Sequence, residues 1–188
     1  MATNEASASA AISWLRATAH PLRLRILSLL TGAEMSAADV ARELGVTHAN
    51  ASYHLRLLTD AGLLQHAGEV RIRGGVARRY RHRWEQEMLT ASSGSGEEAE
   101  RFVAVMAEQL VRRYHRRKPA AGKGNLTDAE LWVTPEVHER VNALLIEVAH
   151  VLHREASPPR TPGTVAVAMT AALFLVEGGE PQEPGGHR

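Results

Sequence analysis

Thr47, His48, Asn50, Ser52, Tyr53 and Arg56 lie within ten consecutive positions, and each side chain can exchange hydrogen bonds with a polar surface. Asparagine matches the donor and acceptor edge of adenine, and arginine matches guanine. A second group follows closely. Between Leu64 and Trp84 stand six arginines (Arg71, Arg73, Arg78, Arg79, Arg81 and Arg83) against one acid, Glu69. That excess suits phosphate neutralisation, or the minor groove beside a reading helix. Charge on an edge strand also deters aggregation, but lysine with interspersed glutamate would serve that role better. The chemistry on offer is therefore recognition of a nucleic acid.

Those side chains need elements to hold them. Ser36 is a suitable N-cap, and Asp39 follows three positions on, where a carboxylate favours a helix start. Val40 and Leu44 make a short apolar stripe, and Gly45 can leave the helix at positive φ. Val46 is placed to anchor the turn in the core, and Thr47 caps the next helix. There Ala51, Leu55 and Leu58 fall at i, i+4 and i+7 and face inward. His48, Ala49, Asn50, Tyr53 and Arg56 remain on the outer side. Gly62 ends that helix, and Leu63-Leu64 begin a strand. Val70 to Arg83 then reads as a hairpin around a Gly74-Gly75 tip. The pattern is a helix-turn-helix followed by a basic wing, a layout that places one helix in the DNA major groove. A helical hairpin without a ligand is the plainer alternative.

Charge divides the chain in the same place. From Ile12 to Trp84 there are eleven Lys plus Arg against five Asp plus Glu, a net of +6. From Glu85 to Arg188 there are eleven against fifteen, a net of −4. A basic module joined to an acidic one explains an overall charge of only +1.

Thr18 to Arg83 resembles the ArsR-type family of winged helix-turn-helix regulators. Ala19-His-Pro-Leu-Arg-Leu-Arg-Ile-Leu-Ser-Leu-Leu30 resembles the family's first core helix. Ser52-Tyr-His-Leu-Arg-Leu-Leu-Thr-Asp-Ala-Gly-Leu-Leu64 resembles its recognition helix and exit. The resemblance implies a homodimeric transcriptional regulator, often a repressor released by an inducer. It also implies that flanking helices dimerise, here residues 12–17 and the helix after the linker. Trp14 and Leu15 belong either to such an interface or to the monomer core. His54 resembles a position usually occupied by histidine in the family, and either reaches DNA or lies buried against the backbone. The departure is equally informative. Relatives that sense soft metals carry a Cys-x-Cys pair near Asp39 to Gly45, and this chain has no cysteine. Thiolate metal sensing and disulfide switching are therefore excluded.

The second half is less explicit. Ala91-Ser-Ser-Gly-Ser-Gly96 reads as a linker. Residues 97–117 read as a helix, with Phe102, Val105 or Met106, Leu110 or Gln109, and Tyr114 on one face. Its basic end, Arg112 to Lys118, either compensates the helix dipole or touches phosphate. Residues 119–124 break the helix, and residues 130–133 form a short strand candidate. Thr134-Pro135 opens a helix with Val137, Val141, Leu144 or Leu145, Val148 and Leu152 as its buried stripe. Val165 to Leu175 alternates as a buried strand, although its alanines also permit a helix. Glu136, His138, His150 and His153 on the preceding helix offer a carboxylate-and-imidazole metal set. Surface histidines at a helix end are the simpler account. No catalytic constellation or phosphate loop is present, which argues against an enzyme.

The expected fold is mainly α with small β (α+β). It comprises a disordered N-terminus (1–11), a winged helix-turn-helix domain (12–84) and a linker (85–96). A C-terminal dimerisation and effector region with one or two strands (97–177) and a disordered tail (178–188) complete it. The DNA-contacting candidates are Thr47, His48, Asn50, Ser52, Tyr53, His54, Arg56, Arg71, Arg73, Arg78 and Arg79. The expected partners are double-stranded DNA, a second copy and a small-molecule effector, with no cofactor. The first eleven residues lack the pattern of a signal peptide, and Thr161 to Val176 is too short and interrupted to span a bilayer. A cytoplasmic location is expected.

Overall fold

The computed structural model describes residues 12–72, 75–87, 96–118 and 124–177. The expectations for residues 1–11, for Arg73 and Gly74, for most of the linker, for the break at 119–123 and for the tail lie outside them. Residues 12–18 (α1) are helical. There follow α2 (Pro21–Thr31), β1 (Met35–Ser36), α3 (Ala37–Leu44), α4 (His48–Asp60), β2 (Leu64–Ile72), β3 (Gly75–His82) and the single turn α5 (Trp84–Glu87). Two longer helices, α6 (Glu97–His115) and α7 (Pro135–Arg154), complete the order. The fold is α+β: a helical body with a small antiparallel sheet in the order β1-β3-β2.

Local chemistry sets the helix ends. The Asp39 amide donates to Ser36 Oγ at 3.3 Å, and the Ser36 amide donates back to the Asp39 carboxylate at 3.1 Å. This reciprocal cap is the capping box. It also holds the Asp39 carboxyl below its ordinary pKa, with the Ser36 hydroxyl as the main cause. Gly45 ends α3 at φ 66°, where a side chain would be strained. Thr47 caps α4 by accepting from the Asn50 amide at 3.2 Å.

Packing then fixes the orientation of α4. Ala51, Leu55 and Leu58 are fully buried, together with Ile26 and Leu30 of α2 and Val40 of α3. Each large side chain in that core contributes roughly 1.5–3 kcal/mol through burial. Trp14 and Leu15 join the same cluster, so they belong to the monomer core. Arg25 donates to the Leu44 carbonyl at 3.1 Å, and Arg79 donates to the Glu34 carbonyl at 2.6 Å. These bonds tie α2 to the end of α3 and β3 to the loop before β1.

The C-terminal half departs from expectation. Residues 130–133 and 165–175 form no strand, and Trp132 and Val165 are 77% and 82% exposed. Alternating β-branched residues favour a strand only where a partner edge exists, and no described strand lies beside either segment. The stripe expected to be buried on α7 is also open: Val137, Val141, Leu144, Val148 and Leu152 are all exposed. α7 instead turns His138, Leu145, Ala149, His150 and His153 toward partial cover. On α6 the inner face is the buried Gln109 with the half-buried Phe102, Val105, Met106 and Arg113, while Leu110 and Tyr114 point outward.

The chain after α7 nevertheless returns to the helix-turn-helix. Arg160 pairs with Glu43 of α3. A methyl group at Gly32, just after α2, would lie 2.7 Å from the Ser157 carbonyl oxygen. Gly32 has an ordinary φ of −93°, so space and not backbone conformation selects glycine. Gly32→Ala should therefore cost about 1–3 kcal/mol through overpacking. Leu55→Ala should cost about 2–5 kcal/mol through a core cavity. Denaturant unfolding of both variants measures these losses.

Candidate nucleic-acid interface

α4 has two chemically distinct sides. The apolar row is sealed into the core, while His48, Ala49, Asn50, Tyr53 and Arg56 are exposed, Tyr53 to 52%. Asn50 stands in the first turn of the helix, and its backbone N–H donates to Thr47 Oγ1. Thr47 therefore serves first as a cap. Ser52 is half-buried, and its carbonyl accepts from Arg56 Nε at 3.4 Å. That bond lays the Arg56 side chain along the helix.

The wing follows α4 after Ala61 to Leu63. β2 and β3 pair as Glu69 with Arg78, Arg71 with Val76, and Ile72 with Gly75, with an irregularity between His66 and Glu69. Arg71 and Arg78 are exposed. Arg79 is partly engaged: besides the Glu34 carbonyl, it lies 3.5 Å from the Glu34 carboxylate. Arg79 therefore braces the wing against the loop before β1. Arg81 lies 3.8 Å from Glu85 on the exposed surface. Arg73 is outside the described residues.

His54 is the residue whose placement differs from a groove-facing one. It is buried, 6% exposed, with its ring 4.6 Å from that of His20 and 5.1 Å from Tyr53. Its place at the back of α4 corresponds to the buried alternative. His20 is the N-cap of α2, and its Nδ1 accepts from the Leu22 amide at 3.1 Å. An accepting nitrogen carries no proton, so this cap requires a neutral ring. Burial lowers the pKa of both histidines, and Arg23 lowers both further.

Two of the candidate metal residues share a neighbour. His150 and His153 both pack on Trp84, with ring centroids 5.7 and 5.3 Å from it. His153 Nδ1 lies 2.6 Å from the Ala149 carbonyl. Among the described residues, no three of His, Cys, Asp or Glu gather closely enough to hold a metal ion. No helix among the described residues is long and apolar enough to cross a membrane.

Residues 18–66 match the family model described as a helix-turn-helix domain. With the wing that follows it, this match makes the first half of the chain a winged helix-turn-helix, the kind of fold that places an exposed polar row such as that of α4 against DNA. Two solved structures are similar to parts of the chain. One is an ArsR-like transcriptional regulator from Rhodococcus sp. RHA1, 25% identical, covering 59% of this chain and 95% of its own, with a TM-score of 0.37. The other is a possible transcriptional regulatory protein (fragment 1–100) from Mycobacterium bovis. It is 22% identical, covering 55% of this chain and 91% of its own, with a TM-score of 0.32. No curated protein matches the chain.

The neutral histidine pair has a pH consequence. In the folded protein both rings resist protonation, so the unfolded chain binds more protons below the ordinary histidine pKa of 6.5. Stability is therefore complete above that pH and declines as pH falls toward the lowered folded values. Thermal melts between about pH 8 and pH 5 should show this decline, shallower in His54→Leu. A flat wild-type profile would contradict the neutral assignment.

Proposed function

We propose that the protein is a homodimeric transcriptional repressor of the ArsR type that acts in the cytoplasm and responds to a signal not bound through thiolates. One observation carries this reading: α4 buries a complete apolar row and leaves a continuous polar row free to meet base edges. In this reading residues 12–84 form the DNA-binding unit, and residues 97–177 supply dimerisation and effector response. His48, Asn50, Tyr53 and Arg56 read bases, while Arg71, Arg73 and Arg78 hold phosphates or the minor groove. Thr47 caps the reading helix, the Ser52 carbonyl steadies Arg56, and Arg79 positions the wing.

Dimerisation is supported by the apolar surface of the second half. Val137, Val141, Leu144, Val148 and Val151 are each 39–51% exposed along α7. Outside the helices, Leu131, Trp132, Val165 and Leu175 are more open still. Contiguous apolar surface of this kind marks an interaction site. A second copy suits it, because two-fold symmetry gives two reading helices for two half-sites, about one turn of DNA apart.

Selection from a random DNA pool tests the proposal. A partly palindromic site should emerge, with affinity falling steeply as salt rises. Asn50→Ala should cost about 1–3 kcal/mol and relax preference at one base. Arg78→Ala should weaken all sequences alike and reduce the salt slope by about 1. Sedimentation should give a dimer, and Val141→Glu combined with Leu144→Glu should give a monomer. Retention on heparin without any selected sequence would instead indicate a protein-interaction module.

A further inference from the structure

A cleft of about 290 Å³ lies where the helix-turn-helix body meets the second half. Trp14 and Trp84 wall it from the first side, and Phe102, Gln109, Arg113 and His153 from the second. Its size is near the lower end of ordinary small-molecule sites, about 300–1,000 Å³. The walls mix three aromatic rings with His153 and with aliphatic and thioether side chains, and the rings are ordered against their neighbours. Trp14 and Phe102 meet edge to face at 4.8 Å, and His153 lies over Trp84 at 5.3 Å. A flat ring fits such walls by offset or edge-to-face stacking.

Two of the polar groups in the cleft, both on α6, are the unusual feature. α6 points Leu110, Val111 and Tyr114 outward while turning Gln109 and Arg113, one helical turn apart, inward. Gln109 is only 2% exposed, and its side-chain Nε2 has no hydrogen-bond partner. A buried donor left unmade is costly, whereas a leucine there would extend the core. Arg113 is half-covered, and burial lowers its pKa. It donates to the Met169 carbonyl at 3.2 Å and to Thr170 Oγ1 at 3.3 Å. No carboxylate among the described residues pairs with it. A neutral donor and a cation therefore line one partly aromatic cleft, and among the described residues neither has an anionic partner.

We propose that this cleft binds a small aromatic carboxylate, with the ring lying against the aromatic side chains of its wall and the carboxylate held by Gln109 and Arg113. As the effector site of a regulator, the inference rests on the function proposed above. Its position fits that role. The cleft is walled by both halves of the chain, and the segment beyond α7 touches α3 through Arg160 and Glu43. A ligand seated there bears on the helix-turn-helix without touching its polar row.

Calorimetric titration of the 188-residue chain, without DNA, tests the site independently of the regulator reading. Benzoate and phenylacetate should each bind saturably at one molecule per chain, and benzyl alcohol about tenfold or more weakly. Gln109→Leu should raise the thermal midpoint and weaken benzoate about tenfold. Arg113→Met should weaken it at least as much, with Arg113→Lys recovering part of the loss. Absence of saturable heat with either carboxylate, or equal binding of benzyl alcohol, would overturn the proposal. So would unchanged benzoate affinity in a folded Gln109→Leu protein. Benzoate binding in a protein that selects no DNA sequence would leave the cleft standing and remove only its regulatory role.

Discussion

Burial of one side of α4 is the constraint on which the interface depends. Ala51, Leu55 and Leu58 leave that helix no rotational freedom once Ile26, Leu30 and Val40 close over them. The small side chain at Ala51 lets the neighbouring backbone approach. With the inner row fixed, the outer row is fixed too, because helical geometry separates the two by a set angle. The position of Asn50 is thus decided by hydrophobic contacts on the far side of its helix. The Thr47 cap and the left-handed Gly45 set where that helix begins.

The first half was largely legible because its signals are local. Ser36 with Asp39, Gly45, Thr47 and Gly62 each declare a helix end through their own backbone chemistry, and the i, i+4, i+7 apolar row declares a buried side. The second half was legible only as helices. Thr134-Pro135 marked the start of α7 correctly, but its valines and leucines did not say which surface covers them. A stripe destined for a partner chain reads like a stripe destined for the monomer core. Val165 to Leu175 failed for a related reason: alternation records a propensity, and pairing needs an edge.

The signals for the cleft were weaker still. Gln109 was visible as an alternative to Leu110 on the inner side of α6, but sequence spacing alone could not choose between them. Trp14 read as belonging either to an interface or to the monomer core, and Trp84 only as the end of the basic wing; both are buried. Only their distance in space to Gln109 and Arg113 gives them a further meaning. His54 shows the same limit from the other direction, since its position within a polar-looking helix concealed its contact with His20.

The sheet order has a consequence for how such a molecule diversifies. β3 is the central strand, pairing with β2 along the hairpin and with β1 through Met35–Tyr80 and Ser36–Arg79. Ser36 thus belongs at once to the arginine-bearing ribbon and to the first turn of α3. The hairpin is not a detachable arm. A graft of another protein's wing would carry its new register into the helix start, so the two parts must drift together. Substitutions confined to the outer row of α4 face no such coupling, which makes that row the freer place for new specificity to arise.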